Sequence, residues 1–521
     1  MEQPRGWSWQ DRAEGSIRRG TALDPTVEPV DGIRAFPTAY LPQRLLITDD
    51  RDSDDEGYDR EILALREAAA SFGWSLDIES PESRLAAGPL LPGVPGFLRA
   101  HLTTPDAPER GESPVPPDAW RVLQRARRST RSTMPRTSLE HVLSIDPVGL
   151  NPFSRTNPFS RTNPFSRTNP VRGAGAGGSD DYLEPGRGAR QPVTWVGPAP
   201  LRGAAPKRGR RPVVAVLDTG CGVHEWLPDD VVTRHAEIDG MPIGLTDDAD
   251  PEKYPDLYGQ LDGEIDAVAG HGTFIAGIIR QTAPDADILS IRMAGALGVI
   301  DESTFLLTVA QVVELLRRHR EDPKTGHPID VLNLSLGYYH ETPEDGFFSR
   351  TLEAILTKAR ELGCVVVCSA GNDAIDRPSF PASLWPWPGA DNGIPADRHA
   401  PLVSVGALNP SGHSVALFSN VGPWVRVFAP GAAVLSTSPA FVGGEQAATR
   451  ADVDGLHRET IDPDDYRGGF ATWSGTSFSA PFVAGRIAAQ LGAVPTSGLA
   501  PGGVAKAVAA VLATLPTPRV G

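Results

Sequence analysis

The chain has 521 residues, a formal net charge of −16 and a hydrophobic share of 40 %. That charge argues against nucleic acid as a partner, since phosphate binding needs a basic footprint. The three cysteines (Cys221, Cys364 and Cys368) cannot form a disulfide framework, and no run of about 18 apolar residues offers a membrane span.

The 54 glycines and 50 prolines predict long loops and linkers. Residues 1–40 are rich in Pro, Arg and Asp without periodicity and read as a disordered lead-in with no apolar secretory core, so a cytoplasmic protein with no membrane partner is expected. Between 41 and 147 the pattern becomes regular. Arg44–Thr48 reads as a strand, 59–72 as a helix ended by Gly73, and Trp74–Ile78 as a second strand. Phe97–Thr104, Asp118–Arg128 and His141–Ile145 follow as strand, helix and strand. The order β-α-β-β-α-β predicts a small α+β, ferredoxin-like domain. Arg121, Arg125, Arg127, Arg128, Arg131 and Arg136 form either a solvated face or a docking surface for acidic groups such as Asp247, Asp248, Asp250 and Glu252.

Residues 148–205 read as a low-complexity linker, in which Asn-Pro-Phe-Ser-Arg-Thr repeats start at Asn151, Asn157 and Asn163. Six-residue units with one aromatic each cannot build a core. From 206 to 521 strand and helix signals alternate: Val213–Leu217 is apolar throughout, as in a strand buried on both faces. Helices at 272–281, 303–320 and 350–362 alternate with strands at 287–293, 331–336, 364–369 and 402–407, predicting a doubly wound, mostly parallel α/β sheet. Cys364 and Cys368 share one strand, roughly 13 Å apart, too far to bridge.

Five short blocks carry the chemistry. The first strand ends in Asp218-Thr219-Gly220, where catalytic groups of open α/β sheets gather. His271 stands between Gly270 and Gly272 at the head of an apolar helix. Asn333-Leu334-Ser335-Leu336-Gly337 and Ser369-Ala370-Gly371-Asn372 end two further strands, and Gly475-Thr476-Ser477 runs straight into an Ala-rich helix. Ser477 alone would be an ordinary helix-capping serine. The order Asp, His, Ser, with the first two 271 − 218 = 53 apart, matches one of the common triad layouts. Ser479 spoils a Gly-x-Ser-x-Gly elbow and disfavours an α/β-hydrolase.

Over roughly the last 300 residues these blocks resemble the signature segments of the subtilisin-like serine peptidases. The resemblance implies Ser477 as nucleophile, His271 as general base and Asp218 as its orienting carboxylate. It implies Asn372 as an oxyanion donor, with Ser335, Leu336 and Gly337 lining the cleft for a protein or peptide substrate. Phe478 stands where methionine is more usual, on what reads as the packing side of the helix. The chemistry implied requires no cofactor; a structural Ca2+ is common in the family, and the acidic loop 246–266 could supply oxygens, with no ligand set assigned. Secreted members carry an inhibitory N-terminal pro-domain of ferredoxin-like topology, so intramolecular inhibition by 41–147 is expected; a recruitment domain is the rival. For the whole chain the alternative to an active endopeptidase is a catalytically silent or permanently closed binding scaffold.

Overall fold

The computed structural model describes residues 20–50, 54–79, 91–104, 115–145, 182, 188–258, 265–342, 349–388, 394, 399–442, 450–461 and 465–518. The Asn-Pro-Phe-Ser-Arg-Thr repeats lie outside the described residues.

The N-terminal unit is built from β1 (Ala39–Asp49), α1 (Asp55–Ala70), β2 (Ser75–Glu79), β3 (Gly96–Thr103), α2 (Ala119–Thr130) and β4 (Thr137–Ser144). All pairings are antiparallel, in the order β4-β1-β3-β2, the split β-α-β arrangement that the element order predicts. Asp54 and Asp118 cap the two helices by accepting from Gly57 N at 3.0 Å and Trp120 N at 2.9 Å. Alternation along β1 sends Leu45 and Ile47 into the core under the helices, while Leu46 joins the large core of the C-terminal unit. Both faces of this sheet are therefore covered.

Two stretches differ from the sequence expectation. The lead-in is structured from residue 20: Thr21–Ala22 pairs with β1, and Leu23 is buried. The arginines of α2 and of the turn after it do not face the acidic loop: Arg121, Arg125 and Arg128 surround Glu28, and Arg136, beyond the helix, pairs with Asp50, Asp54 and Glu61. Acids closer in the fold satisfy them first. In the loop, Asp247 pairs with Arg292, and Glu252 is buried among hydroxyls.

The C-terminal unit is organised by β5 (Val213–Asp218), α3 (His271–Thr282), β6 (Asp287–Arg292), β7 (Val299–Asp301), α4 (Glu302–Glu321), β8 (Val331–Leu334), α5 (Arg350–Glu361), β9 (Val365–Ser369), β10 (Leu402–Leu408) and β11 (Val427–Pro430). β12 (Val434–Thr437), β13 (Phe470–Trp473), α6 (Thr476–Leu491) and α7 (Pro501–Leu512) complete it. The main sheet runs β11-β10-β9-β8-β5-β6 with Val232–Thr233 at the edge, and every pair is parallel. From β5 the chain passes to β6 on one side and later to β8 on the other. The crevice beyond the carboxyl ends of these strands is where an open parallel sheet receives a ligand. Gly485 lets α6 close on α3, since a Cβ there would stand 1.9 Å from Thr282 Oγ1. Part of the predicted linker also packs here: Gln191–Val193 pairs with β13.

The two units share a sheet. β7 pairs antiparallel with β4, extending the N-terminal sheet with a strand of the C-terminal unit. Arg44 reaches Asp301 at 3.1 Å across the junction. His141 of β4 is fully buried between Glu302 and Glu341. Burial alone would depress this imidazole, but the two carboxylates outweigh it and hold it up at about 10. Burial instead pushes the neighbouring His340 down to about 3, against the pull of Glu341.

Candidate active site

Asp218 closes β5 after five apolar residues, as a strand in the middle of a parallel sheet requires. Its Oδ1 lies 2.8 Å from His271 Nδ1 and accepts from Thr219 N at 2.8 Å. Both side chains are fully buried. Two glycines make this approach possible. The chain enters α3 through Gly270 at φ 80°, and a Cβ on Gly272 would stand 2.0 Å from the Gly220 carbonyl oxygen. With Asp218 on Nδ1, His271 Nε2 is buried and has no hydrogen-bond partner among the described residues.

Ser477 is the second residue of α6, and its hydroxyl donates to the Ser335 carbonyl at 3.3 Å. His271 Nε2 does not receive it. Phe478 is fully buried with its ring 5.2 Å from the imidazole, and the Trp473 ring lies 5.6 Å away on another side. Phe478 thus wraps the histidine itself, a closer role than the sequence reading assigned to it. Asn372 Oδ1 accepts from Thr476 N at 2.8 Å. That bond pins the carboxamide to the helix start carrying Ser477 and makes Nδ2 the end with protons to give.

The three expected cleft residues divide. The Ser335 hydroxyl donates to the Ser477 carbonyl at 2.9 Å, so Ser335 braces the start of α6. Leu336 is buried in the core. Gly337 pairs with Ser144 of the N-terminal unit, each N–H reaching the other's carbonyl at 3.1 Å. The next residue, Ile145, donates its N–H to Gly298 O at 2.8 Å. Residues 144–145 therefore lie between Gly337 and Gly298, edge-paired to both.

Glu252 is absent from any motif. It is buried, its carboxylate accepts from Gly272 N at 3.1 Å and Thr273 N at 3.3 Å, and it is bonded to the hydroxyls of Thr219 and Thr273. It joins the residue after Asp218 to the first turn of the helix that carries His271. Burial pushes its carboxyl up to about 7, against the hydroxyl bonds and with help from Asp250 and Asp218. A carboxylate 271 − 252 = 19 residues before the histidine leaves no periodic signal.

Among the described residues of 246–266, three carboxylates have protein partners. Asp266 Oδ2 accepts from Leu257 N and Tyr258 N, Asp247 holds Arg292, and Glu252 serves α3. Burial pushes the Cys221 thiol up to about 12, consistent with a packing residue three positions beyond Asp218.

The Subtilase family model matches residues 209–512. The chain belongs to the subtilase family. An "Intracellular serine protease" of Paenibacillus polymyxa is 30 % identical over 292 residues, covering 54 % of this chain and 67 % of that protein. "Subtilisin-like protease 5" of Arthroderma gypseum is 28 % identical over 290 residues, and this subtilase spans only 56 % of its length. The crystal structure of a cold adapted subtilisin-like serine proteinase is 23 % identical with a TM-score of 0.31, covering 55 % of this chain and 77 % of that one. The subtilase match begins beyond residues 20–145, and no helix among the described residues is long and apolar enough to cross a membrane.

Proposed function

We propose that this subtilase is a serine endopeptidase that cleaves peptide bonds through Asp218, His271 and Ser477, and that its N-terminal unit holds it shut. The observation that carries the first half is the buried 2.8 Å contact between Asp218 and His271 beside the helix start that bears Ser477. In the proposed reaction Ser477 Oγ leaves the Ser335 carbonyl and turns to His271 Nε2, which removes its proton as Oγ attacks the scissile carbonyl. Asp218 keeps the Nδ1 proton in place and stabilises the imidazolium. Asn372 Nδ2 and the Ser477 N–H, at the positive end of α6, stabilise the oxyanion. His271 then protonates the leaving amine, and water repeats the cycle on the acyl-enzyme. Every group used is a side chain or backbone amide of this chain.

The second half rests on the pairing of Ser144 with Gly337 and of Ile145 with Gly298. A peptide substrate would meet the same edges. While they are taken and Ser477 is bonded to Ser335, the site has neither substrate access nor a formed nucleophile–base contact. An intracellular setting is part of the proposal, supported by the name of the Paenibacillus relative and by three free cysteines. The same closed cleft favours one second reading, a scaffold that never opens. Fluorophosphonate labelling separates the two. A site-specific cleavage sequence placed in the 151–170 repeats should give Ser477-dependent labelling after cutting and little before it. Absence of labelling before and after, with Ser477→Ala as control, would sink the peptidase reading. Equal labelling in both would sink the inhibitory role.

A further inference from the structure

A second cluster of chemistry-bearing side chains lies outside the active site, at the junction of the two units. His141 comes from β4, Glu302 from the first turn of α4, and His340 and Glu341 from the segment after β8. All four are buried, three of them completely. His141 Nε2 lies 2.7 Å from Glu341 Oε2, and His340 Nδ1 lies 3.3 Å from that same oxygen. The two imidazole rings are 4.9 Å apart, and the ligand-type atoms of His141, His340 and Glu341 all fall within 4.8 Å of one another.

Counting protons makes this arrangement unusual. Thr342 N donates to His340 Nδ1 at 3.2 Å, so that nitrogen carries no proton. It faces a carboxylate oxygen, which also carries lone pairs. One proton, on His141 Nε2, lies between His141 and Glu341, and His340 Nδ1 stands beside the same oxygen with no proton of its own. Without that proton three buried lone pairs would converge, and a positive centre would have to replace it. Bonds of about 2.0–2.2 Å place tetrahedral ligands roughly 3.3 Å apart; the two separations from Glu341 Oε2, 2.7 and 3.3 Å, lie at or below that value, while the set spans up to 4.8 Å and draws inward on binding. The far nitrogen of His141 completes the case. Its Nδ1 lies 2.6 Å from Glu302 Oε2, the carboxylate backing that fixes the tautomer and raises the basicity of a metal-bound imidazole.

We propose that His141, His340 and Glu341 form a site for a divalent transition ion of the Zn2+ type, oriented by Glu302, that clasps the N-terminal unit to the C-terminal unit. Two imidazoles and one carboxylate favour Zn2+ over the all-oxygen preference of Ca2+ and Mg2+. Binding exchanges the His141 Nε2 proton for the ion, with the proton released to solvent. Because His141 is supplied by β4 alone, the site is complete only when that strand is docked, and the ion stabilises the docked state by mass action. The clasp role rests on the docking described above; the binding itself does not depend on peptidase activity.

The test uses the full chain carrying Ser477→Ala, stripped with a chelator and titrated with ZnCl2, with CaCl2 and MgCl2 as comparisons. We expect one Zn2+ per chain by calorimetry, micromolar or tighter, and a rise in the thermal midpoint of about 5 °C that neither alkaline-earth ion reproduces. His340→Ala should weaken Zn2+ about tenfold or more, and Glu302→Gln by a similar factor through loss of orientation. Co2+ in place of Zn2+ provides a spectroscopic check on folded protein: intense visible bands in the parent, lost in His340→Ala. Binding weaker than about 100 μM to the folded parent, or affinity unchanged by His340→Ala, overturns the proposal and leaves His141 as an imidazolium held by two carboxylates.

Discussion

Two buried histidines, each pressed against carboxylate, have opposite prospects in this molecule. His271 has one carboxylate, Asp218 on Nδ1, and its Nε2 has no hydrogen-bond partner among the described residues. His141 has carboxylates at both nitrogens, Glu302 at 2.6 Å and Glu341 at 2.7 Å. The ingredients are nearly the same, but the remaining valence differs. An imidazole with one nitrogen oriented and the other open can carry a proton between reactants. One held at both ends is structural, a latch between two units rather than a base. The surroundings agree: Phe478 and Trp473 wrap His271 in aromatic rings, whereas His141 stands beside a second imidazole and a network of charge.

The largest test of this contrast is Asp218→Asn in chain opened at its linker. It should reverse the tautomer of His271 and lower kcat about 10^4-fold, the magnitude seen for the same change in another serine-protease triad. A loss below tenfold in peptide-hydrolysis assays would remove Asp218 from the triad. Next comes the latch. His141→Leu removes the cation between Glu302 and Glu341, leaving their charge uncompensated there, and breaking such a buried pair costs on the order of 3 kcal/mol. Denaturant unfolding of the Ser477→Ala background should register that loss. The uncut active chain carrying His141→Leu should gain fluorophosphonate labelling.

Asn372→Ala should lower kcat by about a hundred- to a thousandfold with little change in KM, a range measured on subtilisin, itself a member of this family. A KM effect alone would make Asn372 a binding residue. The smallest effect concerns the carboxylate behind His271. Glu252 has a folded-state value of about 7, raised above its ordinary 4.5. Its contribution to stability is therefore fully present below pH 4.5 and lost as pH rises through about 7. Between those limits the Ser477→Ala protein should lose on the order of 2 kcal/mol relative to the same protein with Glu252→Gln. Parallel pH profiles for the two would show that Glu252 does not titrate in this range.

Much of the architecture is legible locally. Period-2 and period-3.6 patterns mark the strands and helices of both units, and apolar Val213–Leu217 marks a strand covered on both faces. Gly270 and Gly272 mark a place of close approach, Gly270 against the Pro439 and Phe441 side chains and Gly272 against the Gly220 backbone. What was not legible depends on pairings far apart in sequence. Glu252 and Thr219 are separated by 252 − 219 = 33 residues, and nothing in the acidic loop distinguishes this buried carboxylate from its solvated neighbours. The arginines of α2 found Glu28, in a lead-in that composition marks as unstructured. Composition reports what a segment can bury by itself, and residues 20–38 borrow a surface from β1 and α2.

The sequence by itself determined the family, the two-unit element order and the chemistry-bearing blocks, because these rest on residue type and short spacing. Tertiary structure alone decided that Ser144 pairs with Gly337 and Ile145 with Gly298, that Ser477 is bonded to Ser335 rather than His271, and that His141 meets Glu302 and Glu341. Those contacts join residues 142 to 200 positions apart, and their geometry follows from how one sheet docks on another. A chain can signal through local pattern which side chains could react. Whether they are exposed, blocked or paired is a property of the packed whole.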